Sequence, residues 1–388
     1  MKKATVFALF IVLVASVLVL SAVSVRLWGS KSESSLPPAE IAITLDMTVQ
    51  EIADTWHVEP SALKRPFGLQ GQSDLAKTIS DLGLSVEEAA AAARKAAAIQ
   101  AEEGSKNWVK ILAKFVAWFV FLGVVFVLMR RRVVTPGRRK TLLVAAVLVF
   151  GVVLGSDPSP MGTVKDAIAL YGAERVIFPP RLVAFLAFLA MTIFANKFIC
   201  SWGCQLGVLQ DLIFRINRDG EDRRPVLLQW KPPFALSNTI RAAFLAVFTF
   251  VAFAWARDII APVDPFTVFK PASLSIAAGV FVAVILVMSL FTYRPWCHFF
   301  CPFGLVGWLA EKASLYRVKV DYDTCIACGA CAKACPSTVM GAILKRDKRT
   351  IPDCFACGTC IGVCPTKSIS FARGRRDVPP EGKFAAPE

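Results

Sequence analysis

The sequence predicts an α-helical integral membrane protein of about six transmembrane helices, part of them a duplicated helical hairpin, followed by a small cysteine-rich α+β domain. Three observations carry this. The apolar residues, 55% of 388, come in long blocks and not at the spacing of a soluble helix or strand. A cysteine-bearing segment after one apolar block recurs after a later one. All twelve cysteines lie beyond position 199, eight of them packed between Cys325 and Cys364.

The first apolar block, Thr5 to Val23, follows Lys2 and Lys3. It is long enough to span a hydrocarbon core of about 30 Å at about 1.5 Å per residue. Ser21-Ala22-Val23 is a poor cleavage site, so residues 1–25 read as an uncleaved anchor. Residues 26–107 are polar and read as a small exported helical module. Thr48 with Glu51 and Ser85 with Glu88 form capping-box pairs, and Glu87 to Ala101 is rich in strong helix formers. Thr48 to Leu69 has the look of a helix-turn-helix, but outside the membrane the expected role is a docking or spacer module.

Residues 108–134 hold a second transmembrane helix, from Trp108 to Met129, and residues 135–310 a four-helix membrane core. Its spans are Leu142 to Leu154, Leu182 to Phe198, Ile240 to Ala256 and Ile276 to Phe291; the short first one is expected to extend into Arg139 to Thr141 by snorkelling. If the spans alternate, Lys2 and Lys3, the six basic residues of Arg130 to Lys140, and Arg215 to Arg241 share one side. That side is cytoplasmic by the positive-inside rule, and every cysteine falls on it. The formal charge of +15 therefore belongs to membrane orientation, and no nucleic-acid partner is expected.

Cys200-Ser-Trp-Gly-Cys204-Gln-Leu-Gly207 lies over Cys297-His-Phe-Phe-Cys301-Pro-Phe-Gly304, and each copy follows an outer loop with an Asp-Pro pair. A duplicated two-helix hairpin is expected to bring the two cysteine pairs together.

Residues 311–375 carry the strongest motif. Cys325, Cys328, Cys331, Cys335 and Pro336 are repeated in spacing by Cys354, Cys357, Cys360, Cys364 and Pro365. The spacing C-x2-C-x2-C-x3-C-P wraps three thiolates around a 4Fe-4S cubane, the fourth ligating the other cluster. The expected sets are Cys325, Cys328, Cys331 and Cys364 for one cluster, and Cys354, Cys357, Cys360 and Cys335 for the other. Small residues at Ala327, Gly329, Ala330, Gly358 and Thr359 let backbone amides reach cluster sulfurs. Arg317 to Tyr322 and Ser368 to Phe371 alternate as short strands do, completing an α+β two-cluster bacterial ferredoxin domain. A pair of structural zinc sites is the alternative reading of eight thiols. Residues 376–388 read as a flexible tail.

The C-x3-C pairs, Cys200 with Cys204 and Cys297 with Cys301, are a candidate metal site for a third cluster or another soft metal. Four apart, they would sit one helical turn from each other; the alternative is four inert buried thiols. His298 reads as a packing or hydrogen-bonding residue, and Trp202, Trp296, Phe299 and Phe300 as an interfacial belt.

From about Arg139 onward the chain resembles the NapH-type and NosR-type membrane polyferredoxins, which pair C-x3-C-P motifs after transmembrane helices with a terminal double 4Fe-4S domain. The resemblance implies a bacterial inner-membrane protein with cytoplasmic clusters, relaying electrons between the quinone pool, or a cytoplasmic donor, and a periplasmic redox partner. Quinone and membrane lipid are thus candidate partners, and a quinol-dehydrogenase component is the candidate assembly. Two departures stand out: Gln205 replaces the proline of the first motif, and residues 26–107 lack the flavin-attachment motif of NosR-type domains, so no covalent flavin is expected. No acid, base or nucleophile constellation appears, so no catalytic residues are assigned. The rival resemblance is to CcoG-type metal-assembly factors, in which the C-x3-C pairs bind and reduce copper.

Overall fold

In a computed structural model, residues 3–28, 43–64, 67–69, 73–346 and 352–384 are described. Residues 29–42 of the N-terminal module and 385–388 of the expected tail fall outside these. The membrane part begins with α1 (Lys3–Trp28). The module holds α2 (Val49–Thr55), α3 (Pro60–Leu63) and α4 (Val86–Ser105). Both expected capping boxes are present, Thr48 with Glu51 and Ser85 with Glu88, so each helix starts where its first free amides find side-chain oxygens. The module has its own core, with Val49, Ile52, Leu63 and Ile79 wholly buried against the alanine face of α4.

There follow α5 (Trp108–Arg130), α6 (Pro136–Ala146), α7 (Pro160–Glu174), α8 (Pro179–Ala195), α9 (Gln205–Ile216), α10 (Phe234–Trp255), α11 (Ile276–Phe291), α12 (Pro295–Phe299) and α13 (Pro302–Glu311). Among the described residues three helices, α1, α5 and α10, are long and apolar enough to cross a membrane; α8 and α11 are shorter apolar helices. The block from Leu142 is covered by α6 and a π-helical turn, Val147–Val153. Arg139 does not snorkel: it is buried and ion-paired to Asp222 at 2.7 Å.

The C-terminal domain comprises β1 (Tyr316–Val320), α14 (Ala330–Ala334), α15 (Val339–Lys345), α16 (Thr359–Val363) and β2 (Ile369–Arg373). The expected strands pair antiparallel, with Val318 opposite Phe371 and Val320 opposite Ile369. Their buried faces meet α5, where Phe126 packs edge-on against Tyr316 and Phe371 at ring distances of 5.0 and 5.7 Å. The domain is thus seated on the membrane core by its hydrophobic sheet face.

Candidate redox centres in two settings

Each ferredoxin run turns through two left-handed residues at matching places. Ala327 and Gly329 have φ of 54° and 68°, Ala356 and Gly358 of 52° and 76°. A left-handed residue beside right-handed ones turns successive N–H groups toward a common concavity, an anion-accepting arrangement. At alanine that conformation costs about 1–3 kcal/mol, which the enclosing fold must offset. A Cβ at Gly358 would stand 2.5 Å from the Met129 sulfur, so the methionine side chain would have to shift to admit one.

The eight thiols fall into two cavities. One is lined by Cys325, Cys328, Cys331 and Cys364, the other by Cys335, Cys354, Cys357 and Cys360. In each, three thiols come from one run and the fourth from the other. The chemistry of this donor set, soft thiols around a small cavity under inward amides, fits a 4Fe-4S cluster. Burial pushes the Cys331 thiol up to about 11 and the Cys354 thiol up to about 12, so bound metal is what would hold them as thiolates. Among the described residues no three His, Cys, Asp or Glu side chains are grouped as a single metal ion requires.

The C-x3-C segments are not continuous helices. Cys200 lies in a π-helical turn, Ile199–Gly203, whereas Cys204 is extended and caps α9; Cys301 caps α13 in the same way. The chain doubles back along α5. Phe198 packs near the far end of that helix against Phe126, Gly203 accepts a 2.9 Å bond from Trp118 near its middle, and Gln205 bonds the carbonyl of Ser156. Ser156 is next to Gly155, whose carbonyl takes Lys114 at 2.7 Å. The cysteines therefore sit on re-entrant turns inside the bundle, not at its surface. Trp202 and Trp296 are correspondingly buried, bonded to Ala356 O at 3.2 Å and to the Met161 sulfur at 3.3 Å, and form no interfacial belt.

The four thiols are all buried, and Cys301 lies within electrostatic range of Cys200, Cys204 and Cys297. Two glycines make this packing reachable: a Cβ on Gly207 would stand 2.8 Å from Cys200 O, and one on Gly304 2.6 Å from Cys297 O. The copies also exchange contacts. Arg294, three residues before Cys297, donates to Cys200 O and, at 2.8 Å, to Ser201 O. Lys197, three before Cys200, reaches Gly304 O at 3.4 Å. A basic residue at this place in both copies was a readable signal, but only the cysteines announced themselves.

The second ferredoxin run is wedged between the copies. Asp353 pairs with Lys197 and, at 3.2 Å, with Arg241; burial pushes its carboxyl up, but the two cations outweigh that and hold it down at about 2. The Phe355 ring has Lys197 Nζ over it at 4.1 Å and the Arg294 guanidinium at 5.3 Å, with His298 at 5.2 Å. Glu311 of α13 accepts from Cys354 N with both oxygens at 3.1 Å, and burial followed by the nearby Asp353 pushes its carboxyl up to about 8. His298 fills the packing role expected of it, its Nδ1 at 3.2 Å from Arg294 O. A second set of ion pairs, Asp211 with Arg215 and Arg294 at 2.7 Å each, extends the buried network. Cys328, by contrast, is exposed, so the first cavity faces away from the membrane core.

Three stretches of the chain match family models. A family model described as a 4Fe-4S dicluster domain matches residues 318–371, and one described as a 4Fe-4S binding domain matches twice, at 177–224 and 274–320. The latter two stretches each contain one C-x3-C segment. The chain is 28% identical to the putative electron transport protein YccM of Escherichia coli over 41% of this chain and 46% of that one. It is 25% identical to the regulatory protein NosR of Pseudomonas aeruginosa over 42% of this chain and 23% of that one, and 23% identical to the uncharacterized protein MJ0749 of Methanocaldococcus jannaschii over 48% and 69%. The chain thus spans less than half the length of the first two relatives. No solved structure matches.

Proposed function

We propose that this chain is an iron-sulfur electron-transport protein of the NosR/NapH type, relaying electrons across three cysteine-built centres between the quinone pool or a cytoplasmic donor and a redox partner on the outer side of a bacterial inner membrane, a reading supported by its family-model matches and relatives. The observation that carries this reading is the seat of the Asp353 to Cys357 loop against both C-x3-C copies. It supports an order: Cys325, Cys328, Cys331 and Cys364 toward solvent, then Cys354, Cys357, Cys360 and Cys335, then Cys200, Cys204, Cys297 and Cys301 within the bundle. Iron-sulfur clusters, when bound, supply reversible one-electron chemistry. The chain's own residues exclude water and hold two cations, Lys197 and Arg294, between the second and third sets. Positive charge in a buried setting favours the more negative, reduced form of a neighbouring centre.

In this reading six spans alternate, residues 26–107 are periplasmic, the core covers 135–310, and the ferredoxin domain of 311–375 is cytoplasmic. Soft thiols at the intramembrane site also suit copper, the metal of the assembly-factor reading. Anaerobic iron, sulfide and copper quantification with EPR on the detergent-purified chain separates the two. About eight irons with copper retained would overturn the three-centre relay; significantly more iron, lost together with a distinct signal in Cys200→Ser/Cys204→Ser, is the expected result.

A further inference from the structure

The buried cations around the thiol site are paired: Lys197 and Arg241 share Asp353, and Arg215 and Arg294 share Asp211. Lys114, wholly buried in α5, forms no ion pair among the described residues. Its nitrogen donates to Gly155 O at 2.7 Å and to Asp157 O at 3.4 Å, and the Trp118 ring lies 4.9 Å away. The two carbonyls satisfy the two hydrogens of a neutral amine, and the ring face suits the charged form. The nitrogen is therefore housed in either protonation state, where a contacting carboxylate would fix the charge. An ionisable side chain inside a membrane helix marks a proton or ion path far more often than a packing accident.

Lys110, Lys114 and Trp118 follow one another at four-residue spacing down one face of α5. At one end, between the Trp28 end of α1 and the Trp108 end of α5, lies a cavity of about 350 Å³ whose walls include Ser24, Ser105, Asn107, Lys110, Asp157 and Ser273. Polar walls around that volume hold water. Gly155 lines it too: its carbonyl takes Lys114, and a Cβ on it would meet Lys110 Nζ at 3.1 Å. At the other end Trp118 donates to Gly203 O at 2.9 Å, one residue before Cys204. The ionisable groups facing Lys114 are Asp157, Lys110 and Lys270 on the cavity side and Cys204 on the thiol side. Beside the cysteines, Ser201 Oγ and Gln205 Oε1 are buried with no partner among the described residues, a condition that internal water relieves.

We infer that reduction of the centre built by Cys200, Cys204, Cys297 and Cys301 draws one proton from the water of this cavity onto Lys114. This rests on the reading that those four thiols carry electrons. One electron arrives from the second ferredoxin set; the Lys114 lone pair takes one proton from hydronium, an N–H bond forming as an O–H bond breaks, and re-oxidation returns both. The net buried charge is unchanged by the step, which a poor dielectric favours.

Redox potentiometry read by EPR on the full chain in nanodiscs, from about pH 6 to about pH 9, tests this. The signal lost in Cys200→Ser/Cys204→Ser should become about tenfold harder to reduce per unit rise in pH, about 59 mV for one electron. Lys114→Met, unable to take the proton, should respond to no pH change and be at least tenfold harder to reduce than the original at about pH 6. Lys114→Arg, charged throughout, should also be pH-independent but within threefold of the original there. Both should keep the iron content, and the pH response of the signals lost in Cys328→Ser and Cys357→Ser. After a pH jump, Ala272→Trp or Ser273→Trp should slow re-equilibration of the first signal at least tenfold. A slope below threefold per pH unit in the unaltered chain, or a slope kept in both Lys114 variants, overturns the inference and leaves the relay standing. An unchanged pH-jump rate in both tryptophan variants overturns the cavity as the path. With about eight irons and no such signal, the relay itself falls and this inference with it.

Discussion

Replacing Asp353 with alanine tests the seat of the second ferredoxin run. Its carboxylate faces two cations, Lys197 and Arg241, that are no more than 1% exposed. Removing one partner of a buried pair costs about 3–5 kcal/mol, because the remaining charge stays in a poor solvent. Here both cations keep some compensation, Lys197 from Gly304 O and Arg241 from Cys297 O and Asn238, so the lower part of that range applies. About 3–4 kcal/mol, at about 1.4 kcal/mol per decade, is a 10²- to 10³-fold rise in the population of chains with the loop lifted. Amide hydrogen exchange on the full chain in detergent reads this directly: Phe355 to Gly358 should exchange 10²- to 10³-fold faster, with little change in the Val49 to Thr55 helix. Adding Lys197→Met should recover part of the loss, because one of the two orphaned cations is then gone. Exchange within threefold of the original would refute the argument that this ion triad holds the ferredoxin domain to the membrane core.

Gly304→Ala should lower stability by about 1–3 kcal/mol, since a methyl would press on Cys297 O; the thermal midpoint of the full chain in detergent checks it, and an unshifted midpoint contradicts the close approach. Cys335→Ser should abolish the same EPR signal as Cys357→Ser and not the one lost in Cys328→Ser, because the cavities pair thiols across runs. Trp202→Phe removes a bond to Ala356 O worth about 0.5–1.5 kcal/mol, and a faster exchange at Cys357, next in the chain, is the expected readout. Thr48→Ala should cost the N-terminal helical module about 1 kcal/mol, seen as faster exchange confined to Val49 to Thr55; an effect spread into α5 would mean the module does not open by itself.

The ferredoxin unit was legible because its chemistry is local. Thiol spacing within each run fixes the three-plus-one division, and the alternating residues around Val318 and Phe371 set the strand register. The long spans at Lys3–Trp28 and Trp108–Arg130 were legible from composition alone, and the capping boxes from four residues each. What escaped was depth. A C-x3-C pair reads the same whether its helix ends at the membrane surface or turns back, and the return is decided by distant partners such as Trp118 and Ser156. For the same reason Arg139 read as a snorkelling residue: its carboxylate, Asp222, lies in a different loop. Lys197, Arg294 and Phe355 stayed hidden because each acquires meaning only when both copies and the ferredoxin loop meet.

The crossed reach of Arg294 and Lys197 has a consequence for how such a chain is put together. Each copy presents a cation whose carbonyl acceptor belongs to its twin, so a half-length polypeptide with one copy would be left with a buried charge and an open carbonyl. It would have to assemble in twos to close the exchange. Joining the halves in one chain lifts that obligation and allows them to differ, as Gln205 and Pro302 do.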